Sequence, residues 1–212
     1  RGDDSLIQGN SPLLFLNRLQ GVAYTLNPFV VEVAETLMER GYKVGKFTPI
    51  VELPLPNKPW DIADNKEARH EYRRAAAQAM NENAAAFKRS CRTRMTMQTV
   101  QLFKEREKFY LPWSFDYRGR AYPIPAFLTP QDTDFGKSLL KFYESSFMTP
   151  EAEAWLGFQV ATTYGLDKAT MKERHDWVKA NENLISRVAI DPLSNLCEWE
   201  GVSEPWQFLA AC

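Results

Sequence analysis

The chain has 212 residues, a formal net charge of −1, 44% hydrophobic and 25% charged residues. That is the composition of a globular protein with a core, and it excludes collagen-like, low-complexity and strongly charged disordered classes. The apolar runs are all too short for a membrane-spanning helix, and two histidines with three scattered cysteines leave no recognisable metal-ligand spacing.

Ser11-Pro12 reads as a first helix start, serine as cap and proline in the first turn. Leu13, Leu16, Leu19, Gln20 and Ala23 follow at helical spacing. Asn27-Pro28 opens a second helix with Phe29, Val33 and Leu37 on one face, ending near Arg40 before Gly41. The two are expected to pack as a pair. Pro49, Pro54, Pro56 and Pro59 turn residues 42–65 into an extended connector, with a short strand expected at Thr48–Val51.

From Lys66 to Leu111 there is neither glycine nor proline, and alanine is abundant. This is the strongest helical signal in the chain. Unbroken, such a rod would reach on the order of 60 Å. Asn81-Glu82-Asn83 is the expected break, giving two antiparallel helices. Between Lys66 and Lys108 there are 11 Lys/Arg and 5 Asp/Glu, so this segment carries +6 and the rest of the chain −7. A basic segment on an acidic body points to nucleic acid, with a solvated basic helix as the plain alternative. Arg69, Arg73 and Arg74 sit on its first half and Lys88, Arg89, Arg92 and Arg94 on its second, where they could track along a duplex backbone.

The run Phe109–Pro123 holds six aromatic residues, Asp116, and Arg118 and Arg120 around Gly119. Two guanidinium groups side by side repel unless anions sit near them, and planar guanidinium binds phosphate with two prongs. Glycine permits a tight turn and a close approach to the main chain. Asp116 is placed to hold one guanidinium. The run is either a phosphate clamp or a surface Arg–Asp pair beside a buried aromatic turn, with Trp113 and Phe115 serving the core.

Beyond it, residues 124–134 are irregular, and Asp132 and Asp134 read as loop caps rather than cation ligands. Asp134–Glu144 resumes helical spacing with Lys137 and Lys141 on one face. Thr149-Pro150-Glu151 starts a helix that Gly165 ends. Lys168–Ala189 reads as one amphipathic helix with Trp177, Leu184 and Val188 inward, and Ser203-Glu204-Pro205 starts the last. Cys91 and Cys197 lack a partner histidine, and the Asp3-Asp4 pair stands at the chain start. No phosphate loop or nucleophile elbow is present. A first residue other than Met and a last residue inside a helix-like run suggest an internal piece of a longer chain.

Phe115-Asp116-Tyr117-Arg118-Gly119-Arg120-Ala121-Tyr122 resembles the Asp-aromatic-Arg-Gly-Arg-x-Tyr motif of single-subunit DNA-dependent RNA polymerases of phage and mitochondrial type. Gln20–Asn27, Tyr72–Ala77, Asp134–Leu140 and Glu204–Cys212 resemble flanking segments of that family in the same order. The resemblance implies a mainly α fold (α+β in the parent), with residues 1–64 ending an N-terminal region, 65–108 forming thumb helices, and 109–212 opening a palm with a few short strands. It implies that Arg118, Gly119, Arg120, Tyr122 and Lys137 face template and nascent hybrid, that Asp116 orients the arginines, and that Arg73, Lys88, Arg89 and Arg92 belong to the thumb's grip. The nearly neutral Asn81–Ala86 departs from a basic thumb tip. The implied partners are a DNA template, an RNA transcript and nucleoside triphosphates, for a monomeric enzyme without membrane association. The implied cofactor is Mg²⁺, its aspartate ligands, the catalytic lysine and the nucleotide-selecting tyrosine all lying beyond Cys212. An isolated segment of this kind is expected to be inactive. The expected location is the cytoplasm of an infected bacterium, with mitochondrial matrix or plastid as alternative. A free-standing helical nucleic-acid-binding module without catalysis is the competing reading.

Overall fold

A computed structural model describes residues 9–212; the Asp3-Asp4 pair lies outside them. The fold is mainly α, as expected. Helix α1 (Ser11–Gln20) leads through strand β1 (Ala23–Leu26) to α2 (Pro28–Glu39). The long α3 (Lys66–Phe103) follows, then β2 (Phe109–Tyr110), β3 (Trp113–Phe115) and β4 (Ala121–Pro123). After α4 (Asp134–Ser138) and β5 (Leu140–Phe142) come α5 (Pro150–Tyr164), α6 (Met171–Ala180), α7 (Glu182–Ile190), α8 (Leu196–Trp199) and α9 (Pro205–Ala211).

Strand β1 is the centre of a three-stranded antiparallel sheet in the order β2-β1-β5, pairing Tyr24 with both Phe109 and Phe142. Those three rings stack along one face, with centroids 6.4 and 5.6 Å from Tyr24. Cross-strand aromatic pairs of this kind hold short strands together. The sheet therefore ties the segment after α1 to two strands that flank β3, β4 and α4 along the chain.

The core gathers around Trp206 of α9. Phe47, Phe135 and Trp199 lie 4.8, 4.7 and 5.6 Å from it, ring centre to ring centre, in tilted or edge-on contact. All four residues are buried, and each such side chain removes roughly 150–250 Å² from water. The Asp134 carboxylate fixes this cluster from outside, accepting from the Trp206 and Gln207 backbone amides at 3.0 Å each. It supplies the first-turn cap that Glu204, beside α9, does not.

Several local expectations give way to longer-range contacts. The cap of α1 is Asn10, one residue before Ser11, and its side chain makes no capping bond. Ala23 belongs to β1, and α1 packs on β3 rather than pairing with α2, placing Phe15 over Phe115 at 5.8 Å. The connector forms no strand at Thr48–Val51; its bridge joins Val44 to Phe47 around a turn at Gly45.

The long helix does not break at Asn81-Glu82-Asn83. It runs 38 residues without interruption. The Asn83 amide reaches sideways instead, donating to the Leu53 carbonyl at 2.9 Å and accepting from its amide at 2.8 Å. Its polar atoms are satisfied outside the helix, so they do not compete with it. Conversely, Lys168–Ala189 is two helices. Asn181 separates α6 from α7 and donates from Nδ2 to the Trp177 carbonyl, closing the first. A Thr170–Glu173 capping box starts α6. Lys137 lies on α4, whereas Lys141 lies on β5, so the two do not share a helix face.

Candidate nucleic-acid interface

Strands β3 and β4 form a hairpin in the register Trp113–Pro123, Ser114–Tyr122, Phe115–Ala121. Trp113 is buried at its base, with its amide donating to Gln20 Oε1. Residues 116–120 make the tip. Asp116 Oδ1 accepts from the backbone amides of Arg118 and Arg120, both at 2.9 Å. The Asp116 amide donates to the Arg120 carbonyl at 2.9 Å, and Gly119 donates back to the Asp116 carbonyl at 3.0 Å. Gly119 has φ +77°, the left-handed conformation that favours glycine. This corrects the expected role of Asp116: its carboxylate holds the arginines' backbone, not a guanidinium. A short acidic side chain closing a turn on its own following amides is an Asx-type arrangement.

Both amide bonds fall on Oδ1, and neither guanidinium pairs with the carboxylate. Arg118, Gly119 and Arg120 are exposed, and neither arginine forms a salt bridge among the described residues. Arg118 Nε donates to the Tyr117 hydroxyl at 2.7 Å and its guanidinium lies 5.0 Å from that ring centre. Tyr117 is itself 88% exposed. Tyr122 stands exposed on β4 beside this tip. Two unpaired cations with aromatic rings around them form a surface suited to phosphate and to stacked bases.

The basic residues of α3 divide into two kinds. Arg73, Lys88 and Arg89 are exposed and unpaired among the described residues. Arg92 is different. Its guanidinium pairs with the buried Asp132 carboxylate, reaches the Ala126 carbonyl at 3.3 Å and lies 5.4 Å from the Phe127 ring centre. Asp132 also accepts from the amides of Leu128 and Thr133, at 2.9 and 2.6 Å. Arg92 is thus a brace on the 124–133 loop, with its half-exposed side chain still reaching solvent. The brace sets the loop's backbone. Leu128 is held at φ +58°, and a Cβ on Gly136 would meet Asp132 Cγ at 2.4 Å. Only glycine fits there.

Lys137 is half-buried and lines a cleft of about 850 Å³ with Lys141, Asn27 and Gln159. Arg89 and Arg92 line a separate cavity of about 380 Å³. The two sets do not converge on one pocket. That second cavity contains residues the sequence reading passed over: Lys43, Lys46, Thr48 and Thr96. The only local hint is a glycine between two lysines inside the connector. Among the described residues, no group of three His, Cys, Asp or Glu side chains comes together as a metal site. Asp116, Asp132 and Asp134 are engaged by backbone amides and Arg92, an arrangement that does not fit Mg²⁺ ligands.

A family model described as DNA-dependent RNA polymerase matches residues 147–212. The mitochondrial DNA-directed RNA polymerase of Neurospora crassa is 27% identical over 214 residues, covering 100% of this chain and 14% of that protein. T7 RNA polymerase of Escherichia phage T7 is 30% identical over 203 residues, covering 93% of this chain and 22% of its own length. DNA-directed RNA polymerase 1, mitochondrial, of Arabidopsis thaliana is 25% identical over 199 residues, covering 93% and 20%. The chain thus spans about a fifth or less of the length of these curated relatives.

Proposed function

We propose, starting from a chain that belongs to the single-subunit DNA-directed RNA polymerases of phage and mitochondrial type, that these residues are the nucleic-acid-gripping part of such an enzyme. Residues 1–64 end its N-terminal region, 65–108 form the thumb and 109–212 begin the palm. The whole enzyme, a monomer in this reading, extends RNA along a DNA template from nucleoside triphosphates. Two Mg²⁺ ions would supply the charge stabilisation of nucleotidyl transfer. The carboxylates described here do not fit those ions, so their ligands belong to parts of the enzyme outside this chain. The role left to these residues is to hold template and RNA–DNA hybrid in place.

The observation that carries this reading is the hairpin tip. Asp116 Oδ1 holds the backbone amides of Arg118 and Arg120 while the carboxylate pairs with neither guanidinium, so both cations sit on a fixed turn without a protein anion. A merely structural ion pair would have used that carboxylate. Arg73, Lys88 and Arg89 extend the basic surface along α3, and Arg73 to Arg92 span ~28 Å of rod. Lys137 faces its own cleft and contributes a further cation there. No helix among the described residues is long and apolar enough to cross a membrane. The proposed place of action is the cytoplasm of an infected bacterium, with mitochondrial matrix or plastid as the alternative that the organellar relatives support.

Fluorescence anisotropy with a labelled RNA–DNA hybrid tests this. Replacing both Arg118 and Arg120 by Ala should weaken binding about tenfold or more. Unchanged affinity in a folded double variant would overturn it.

A further inference from the structure

The cavity between the 43–48 turn and the middle of α3 has no role in the hairpin. Val44 and Phe47 exchange backbone hydrogen bonds at 3.1 and 2.9 Å, making a tight turn with Gly45 at φ +55°. Gly45 lies against Pro205, and the Trp206 indole donates to the Val44 carbonyl. The turn is therefore pinned to the core, while Lys43 and Lys46 on either side of Gly45 are exposed. On the α3 side, the Thr48 amide donates to Thr93 Oγ1 at 3.0 Å, docking the connector on the helix. Thr96, one turn on, is 1% exposed and lines the cavity. A threonine hydroxyl lining a cavity can donate to a bound anion.

Charge points the same way. Lys43, Lys46 and Arg89 have no salt-bridge partner among the described residues, and the fourth cation, Arg92, is balanced by Asp132. The cavity thus carries three uncompensated positive charges in a space of about 380 Å³. Its one aromatic, Phe135, is buried and packed edge-on against Phe47 and Trp206. No ring face is free to stack a base. The chemistry suits phosphate oxygens and offers nothing to a nucleobase.

We infer that this cavity binds one backbone phosphodiester of a nucleic-acid strand, held by Lys43, Lys46 and Arg89 with Thr96 behind them. The inference rests on the nucleic-acid reading above and shares Arg89 with it, but adds Lys43, Lys46 and Thr96, which lie outside α3's exposed basic stripe. It makes the connector a working part of the grip rather than a passive link between helices.

The test compares three folded variants of this chain, beside the Arg118→Ala/Arg120→Ala variant, binding the same labelled RNA–DNA hybrid. Lys43→Ala/Lys46→Ala removes two exposed side chains and no core contact. It should weaken binding about tenfold for any base sequence and make the salt dependence shallower by about one phosphate equivalent. Lys43→Arg/Lys46→Arg should keep most of the affinity. Lys172→Ala, a distant exposed cation on α6, should change nothing. In the unaltered chain, the amide resonances of Gly45 and Thr96 should shift on adding hybrid, and not with inorganic phosphate or ATP at equal phosphate concentration. Loss in the Arg118→Ala/Arg120→Ala variant but not in Lys43→Ala/Lys46→Ala would overturn the phosphate pocket and leave the hairpin reading standing. Loss in neither would remove both. Saturation of the Gly45 and Thr96 shifts by ATP below the hybrid concentration would make the cavity a nucleotide site and overturn the backbone assignment.

Discussion

Asp116 is the residue on which the hairpin's shape depends, and replacing it separates two ways an acid can serve two arginines. Its carboxylate accepts two amide hydrogen bonds at 2.9 Å. Hydrogen bonds to a charged acceptor contribute about 1.5–3 kcal/mol when shielded. Asp116 is half-exposed, so about 0.5–1 kcal/mol each is the better figure after solvent screening. Asp116→Ala should therefore cost about 1–2 kcal/mol locally. For a chain of this size that is a fall of roughly 2–8 °C in Tm if the hairpin melts with the rest. Binding suffers by a second route, because a loosened tip must be ordered again when nucleic acid arrives. Ordering two rotamer-rich side chains costs about 1–3 kcal/mol, so hybrid affinity should drop about tenfold. Asp116→Asn keeps a carbonyl oxygen that accepts from the same amides and should stay within about threefold of the parent. Thermal melts followed by circular dichroism and anisotropy titrations read both effects. Were the carboxylate acting on a guanidinium, Asn would be as damaging as Ala; equal losses in the two variants would refute the backbone account.

Other consequences follow from the same contacts. Gly136→Ala puts a methyl group 2.4 Å from the Asp132 carboxyl carbon and should cost about 2–4 kcal/mol, seen as a lowered urea midpoint. Normal stability would mean that the Arg92–Asp132 brace yields easily. Asn83→Ala removes both bonds to Leu53; limited proteolysis should then cut faster within residues 51–58, while helicity is unchanged. A loss of helical signal would instead show that Asn83 supports the rod itself. Glu35 is held below its ordinary pKa of 4.5, first by the hydrogen bond from Lys104. A carboxylate depressed on folding stabilises the protein above its unfolded value, and that contribution fades as pH falls through the lower folded value. Lys104→Ala should therefore lower stability at neutral pH and remove part of the acid dependence below about 4.5; a parallel offset at every pH would contradict it.

The sequence was most legible where structure is decided within one helical turn. Thr149-Pro150 caps α5 with its threonine side chain on the Ala152 amide, and Gly165 ends that helix, as the local signals indicate. The break expected at Asn81–Asn83 failed because the partner of Asn83 lies 30 residues earlier, on a connector no local rule places beside α3. Strands β1, β2 and β5 were invisible for the same reason: Tyr24 meets Phe109 and Phe142 only after the helices have folded back. At the site, residue types pointed to Arg118 and Arg120, whereas Asp116's grip on their backbone amides shows only in the folded turn. Lys43 and Lys46 stand more than 40 residues from Arg89 along the chain, and the docking of Thr48 on Thr93, with the turn pinned by Pro205 and Trp206, brings them to one cavity.

The central claim, that this chain grips a sugar-phosphate backbone, is tested most directly by the salt dependence of hybrid binding. Five cations on the hairpin and rod, Arg73, Lys88, Arg89, Arg118 and Arg120, lack salt-bridge partners among the described residues. If most of them meet phosphates, log K should fall linearly with log salt concentration with a slope of about −4. A slope near zero, or no measurable binding at low salt, would contradict the account.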